Sequence, residues 1–151
     1  MESTSRVPAG WPGVAGVDVL AHAVSPGDLP LAPAEALEAL RIEAGVPVMG
    51  HELTERTIPA EVGQWVIDAS VSFTKGCYTG QELVARIDSR GGNVPRPVRG
   101  LVVAGDEVPP AGATVLDADG NGVGAISSSA RSPRLGVVAL AIVARDVEVP
   151  G

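Results

Sequence analysis

SFTKGCYTGQELVAR, residues 72–86, holds the only lysine (Lys75), cysteine (Cys77), tyrosine (Tyr78) and phenylalanine (Phe73) of a 151-residue chain. The rest is built largely from Ala, Val, Gly, Leu and Pro, with ten arginines against that one lysine. A chemically rich octet, KGCYTGQE at 75–82, in so plain a background marks the place to look for function. Its local reading is strand, turn, helix. Residues 65–73 alternate enough to predict a strand leading into the octet. Thr79 and Glu82 then have the Thr-x-x-Glu spacing of a capping box, in which the hydroxyl accepts the Glu82 amide and the carboxylate accepts the Thr79 amide. A helix is therefore predicted from Gly80, with Leu83, Val84 and Ile87 on one side and Glu82 paired to Arg86 at i, i+4. Gly91-Gly92 ends it.

Outward from this stretch the chain divides in two. Upstream, residues 14–24 can supply a strand, although no start signal precedes it. Residues 33–43 read as a helix, with Pro at its start, Leu37, Leu40 and Ala44 on one face, and Gly45 and Pro47 at its end. Residues 46–59 are polar and loop-like and carry His51. Downstream of Pro95 and Pro97 the pattern changes to short strands at 98–103, 113–116, 122–127 and 135–143. Turns at 109–112 and 117–122 separate them. This spacing predicts a small antiparallel sheet or barrel from about residue 96. The fold class is α+β, with units at 1–95 and 96–151 and no internal repeat.

Composition narrows the function classes. Apolar residues make up 45% and charged residues 19%, as in a globular protein, and four aromatics leave an aliphatic core. The formal charge of −7 and the scattered arginines lack the basic stripe of a nucleic-acid binder. The N-terminus has one positive charge among Pro and Gly and does not read as a signal peptide. The longest apolar stretch, 135–144, is far shorter than the ~20 residues a membrane span needs. The expectation is a soluble cytoplasmic protein, with no direct nucleic-acid or membrane partner. A single cysteine excludes an internal disulfide and leaves one thiol for chemistry.

Each candidate has a structural reading beside its functional one. Cys77 lies just ahead of a predicted helix start, where amides, the dipole and Lys75 would favour a thiolate. It reads equally as a small buried apolar residue, with Lys75 a solvated charge. Gly76 and Gly80 allow a ligand to approach the backbone and Tyr78 offers a stacking face, or the three serve a tight turn. Glu82 reads first as a cap. Residues 117–122, DADGNG, open like a calcium loop but have Ser128 at the twelfth position, so a hairpin turn is expected. HELTE at 51–55 lacks the second histidine of a zinc site and His22 is remote, so no metal is expected.

The octet within residues 72–86 resembles the signature of the YgfZ family, folate-binding proteins related to the T-protein (aminomethyltransferase) of the glycine cleavage system. LRIEAGVPVMGHEL at 40–53, followed by IPAE at 58–61, resembles the superfamily segment ahead of that signature. GVGAISSSARSPRLGVVAL at 122–140 is similar to the superfamily's closing barrel strands. The resemblance runs from 33 to 147 in matching order. It implies the C-terminal part of a folate-binding, T-protein-like α+β domain, followed by a small antiparallel β-barrel. It implies tetrahydrofolate as cofactor and an accessory role in assembling or maintaining iron-sulfur clusters. Iron-sulfur proteins or assembly factors would be partners, and tRNA modification would be affected indirectly. Cys77 becomes the functional thiol, with Lys75, Gly76, Tyr78, Gly80, Gln81, Glu82 and Arg86 on the folate side. Arg41 and Glu43 read either as part of the family-like segment or as solvated helix charges. Family members are longer, with folate-domain sequence ahead of this chain's start. The acidic residue implicated in aminomethyl transfer lies there, and in the aminomethyltransferases the position of Cys77 is generally not cysteine. A folate-dependent one-carbon transferase and an inactive, self-associating truncated product are the alternatives.

Overall fold

The computed structural model describes residues 4–23 and 27–147. The elements are β1 (Ser5–Pro8), β2 (Val17–Leu20), α1 (Ala34–Glu43), a 3-10 turn at Pro59–Val62, α2 (Gln64–Ser70), α3 (Gln81–Asp88), β3 (Val98–Val103), β4 (Thr114–Leu116), β5 (Gly122–Ser132) and β6 (Gly136–Val143). β1 and β2 pair as a two-stranded antiparallel sheet, and the other four strands form an antiparallel sheet in the order β3-β6-β5-β4.

The core is built on β6. Its sequence GVVALAIV presents apolar residues to both faces, the pattern of a strand covered on both sides. On one face Val138 and Leu140 pack against Ile42 of α1. On the other, Ala139, Ala141 and Val143 meet Ile126 of β5, with Leu101 of β3 and Val115 of β4 packed on the same cluster. β3 and β4 are opposite edges of the sheet, so the sheet curls. It does not close: β3 and β4 do not pair with each other, and the expected barrel is an open curved sheet. Four strands, one of them only three residues long, leave too narrow a circumference for a barrel filled by side chains.

Two further expectations change. Residues 65–73 form no strand; most of them lie in α2, where the Gln64 side-chain Nε2 donates to Asp68 Oδ1 at 3.0 Å across one turn. A short apolar run has no periodicity that separates helix from strand, and here Ile67 faces inward while Asp68, Ala69 and Ser70 stay exposed. In α1 the buried residues are Ala39, Arg41 and Ile42, whereas Leu37 and Leu40 are exposed. The expected Leu37/Leu40 face points away from the sheet because Ile42 is the residue that meets β6. The start of α1 after Pro33 and its end at Gly45 follow the sequence.

Candidate functional site

Residues 71–80 connect α2 to α3, and most of them, Cys77 included, are exposed. The Lys75 amide donates to Ser72 Oγ at 3.2 Å, and Lys75 Nζ sits 4.8 Å from the centroid of the half-buried Tyr78 ring. That is within the range at which an ammonium is attracted to the face of an aromatic ring. The lysine is thus engaged by the tyrosine that follows the thiol. The expected capping box is absent. α3 begins at Gln81, its N-cap is Gly80 at φ 86, and no side chain caps it. This left-handed turn moves the cap one residue beyond Thr79, and Gln81 Oε1 accepts the Tyr78 amide at 3.1 Å instead. A Cβ at Gly80 would oppose that backbone angle. Glu82 and Arg86 form no ion pair with each other, and neither pairs with any other charge among the described residues.

Tyr78, Gly80, Gln81, Glu82, Leu83 and Arg86 line one open cleft. Five of the residues singled out in the sequence therefore share a cleft, while Lys75, Gly76 and Cys77 stand on the loop leading to it. Behind the cleft, Val84 and Ile87 of α3 close over Ile58, Pro59, Ala60 and Ile67 around a small apolar crevice. That packing fixes the orientation of α3.

A second cluster was not legible in the sequence. Glu52 has no exposed surface, and four donors surround its carboxylate. Ser127 Oγ and Ser128 Oγ donate to Oε1 at 2.7 and 2.6 Å; the Val48 amide and Arg41 Nη1 donate to Oε2 at 3.1 and 3.2 Å. Two consecutive serines reach one carboxylate because β5 is irregular between Ile126 and Ser128, where Ser127 is the residue without a partner on β6. Burial pushes the Glu52 carboxyl up, but the hydrogen bonds from Ser128, Ser127 and Val48 and the charge of Arg41 outweigh it and hold it below its usual range. Arg41 is buried rather than solvated: it also bonds the Glu38 carboxylate and donates to the Val46 carbonyl at 2.7 Å. Those hydrogen bonds lower the Glu38 carboxyl and raise the Arg41 guanidinium. Glu43 is likewise engaged. It accepts from Ser132 Oγ and from Arg134, and the Ser132 bond is the main cause of its lowered carboxyl. The available signal was the Ser127-Ser128-Ser129 run, three hydroxyls directly after Ile126, the buried apolar residue of β5.

His51 Nδ1 lies 3.2 Å from the Ser127 carbonyl oxygen and 3.4 Å from Ser128 Oγ. The juxtaposition of His51, Ser128 and Glu52 is not a nucleophilic triad: Ser128 is buried and its hydroxyl donates to Glu52. The DADGNG stretch is a hairpin turn, with Asp117 Oδ1 accepting the amides of Asp119 and Asn121 at 2.9 and 2.8 Å. Among the described residues no group of three or more His, Cys, Asp or Glu side chains is gathered to hold a metal ion. No helix among them is long and apolar enough to cross a membrane.

No family model matches the chain. An aminomethyltransferase of Staphylococcus carnosus is 36% identical to it over 112 residues, which cover 74% of this chain and 30% of that protein. The chain therefore matches less than a third of the length of that curated relative. This similarity supports a place for the chain in the T-protein-like superfamily, and it does not single out the YgfZ family within it.

Proposed function

We infer that the protein is a tetrahydrofolate-binding accessory factor for iron-sulfur cluster assembly or maintenance, acting indirectly on tRNA modification. In this reading residues 1–95 carry the folate-domain part and 96–151 the C-terminal unit. The observation that carries it is the KGCYTGQE loop, which holds an exposed thiol at Cys77 beside a Lys75–Tyr78 pair and the cleft at the start of α3. The groups around that cleft fit a folate. The Tyr78 ring offers a stacking surface, the Gln81 amide and Glu82 carboxylate suit the hydrogen-bonding edge of a pterin, and the Arg86 guanidinium suits a carboxylate tail. The cleft is open, so it holds one side of such a ligand. Bound folate would supply one-carbon chemistry; Cys77 would supply the thiol beside it.

The test separates binding from the role of the thiol. Tetrahydrofolate titrated against the protein should quench Trp65 fluorescence, and Tyr78→Ala should weaken binding by about 1 kcal/mol or more. Cys77→Ser should leave that titration unchanged while abolishing rescue of cluster-enzyme activity in cells lacking the native copy. Full rescue by Cys77→Ser would refute the role of the thiol.

A second reading, folate-dependent aminomethyl transfer, draws on the similarity to an aminomethyltransferase. It requires turnover of a methylamine donor with tetrahydrofolate by the purified protein. Folate binding without turnover would remove it.

A further inference from the structure

A second cleft opens on the face of the large sheet that α1 covers. Its floor is Val98 of β3 and Ile142 of β6, which are register partners, and its wall is drawn from the 52–61 segment. The cleft holds about 230 Å³ and shares no lining residue with the cleft at the start of α3. Pockets for drug-sized ligands begin at roughly 300 Å³, so this one suits a smaller metabolite.

Hydrogen bonds within the wall fix its shape. Thr57 Oγ1 accepts the Thr54 amide at 2.9 Å and donates to the Glu52 carbonyl at 3.1 Å, and Thr54 Oγ1 accepts the Arg56 amide at 3.2 Å. This turn sets Arg56 on the rim of the cleft, where Arg96 also stands. Both arginines are exposed, and neither pairs with an acid among the described residues. Glu61 is the opposite case. It is only 8% exposed, and one carboxylate oxygen, Oε2, accepts the Ile58 amide at 3.0 Å. No cation among the described residues neutralises it. Among those residues the enclosed side-chain polar atom without a partner is Arg99 Nε, so the second Glu61 oxygen is not sealed off and opens to the cleft. A nearly buried carboxylate without a countercharge is costly, and a cation in the cleft relieves that cost. Glu52 also borders the cleft, but its carboxylate is occupied by its own four donors.

The wall therefore calls for a cation and the rim for an anion, above an apolar floor. We propose that this cleft binds a free α-amino acid with an apolar side chain: its ammonium on Glu61, its carboxylate on Arg56 and Arg96, and its side chain on Val98 and Ile142. Guanidinium groups suit a carboxylate. A phosphate or a dicarboxylate satisfies the arginines but brings further negative charge toward Glu61, and a metal ion or polyamine satisfies Glu61 but is repelled by the arginines. An N-acylated amino acid, such as the glutamyl tail of a folate, lacks the ammonium. A small zwitterion answers both charges at once.

L-Leucine titrated into the isotope-labelled full chain should shift the amide NMR signals of residues 54–61 and Val98 saturably, with a Kd at or below about 1 mM. N-acetyl-L-leucine, which lacks the ammonium, and L-leucine methyl ester, which lacks the carboxylate, should each bind roughly tenfold or more weakly. Glu61→Gln keeps an acceptor for the Ile58 amide. It should retain the native far-UV circular dichroism while losing the preference for leucine over its N-acetyl form. Tetrahydrofolate should not displace leucine, whether or not it binds at the α3 cleft, so this proposal and the folate reading fail separately. The absence of a saturable shift up to about 10 mM overturns the proposal. So do equal binding of leucine and its N-acetyl form, an unchanged preference in Glu61→Gln, and displacement of leucine by tetrahydrofolate.

Discussion

Glu52 is the residue on which the most structure depends, although nothing in its neighbourhood, His-Glu-Leu-Thr-Glu, sets it apart from surface acids. Its carboxylate ties α1, the 46–57 loop and β5 together. Glu52→Ala leaves Arg41 with Glu38 and the Val46 carbonyl but removes the shared acceptor of the Ser128 hydroxyl, the Val48 amide and Arg41 Nη1, and urea denaturation should show a loss of about 2–3 kcal/mol. The pH dependence has a definite sign. The folded carboxyl lies below its ordinary value of 4.5, so its contribution to stability is complete above about pH 4.5 and is lost as pH falls through the lower, folded value. Glu38 and Glu43 shift in the same direction and act in the same window. Glu52→Gln should flatten the acid limb of a stability–pH curve, leaving the slope due to Glu38, Glu43 and Asp117, whose carboxyls are also lowered.

Among the elements, legibility followed how much of each signal is local. β3 was read at its observed bounds, and α1 and β6 to within a residue, because Pro33, Gly45 and an unbroken apolar strand are signals carried in the sequence itself. α2 was misread because seven residues with an apolar run fit either periodicity, and contacts with Ile58 and Ile87 decide it from outside. The octet was legible as a loop before a helix, but its cap was not. Thr79 and Glu82 had the right spacing, and the left-handed turn at Gly80 removed it. The Glu52 cluster was invisible because its side-chain donors lie 11 to 76 residues from Glu52 in the chain. Packing between β5 and β6 also depends on a missing side chain. A Cβ at Gly124 would stand 2.8 Å from the Val143 Cα and closer still to the Ile142 carbonyl oxygen. Gly124→Ala should force the two strands apart at a cost of about 1–3 kcal/mol, read as a lowered Tm.

Stability across the whole molecule is uneven. β6 is buried over most of its length and paired on both sides, whereas β1 and β2 are exposed and paired only with each other. Amide hydrogen exchange should therefore be slowest in residues 137–143 and near the unprotected limit in residues 5–20 for the single chain; equal protection in both would contradict this distribution of core. The irregularity in β5 has a consequence for chain length. Ile126 pairs with Ala141 and Ser128 with Leu140, so Ser127 is surplus to the ladder. A chain one residue shorter at this point would keep every other β5 side chain on its present face and lose one donor to Glu52. A deletion within the regular ladder on either side would turn the residues beyond it inside out. Ser127 is thus a place in β5 where the protein can change length and keep its pairing with β6.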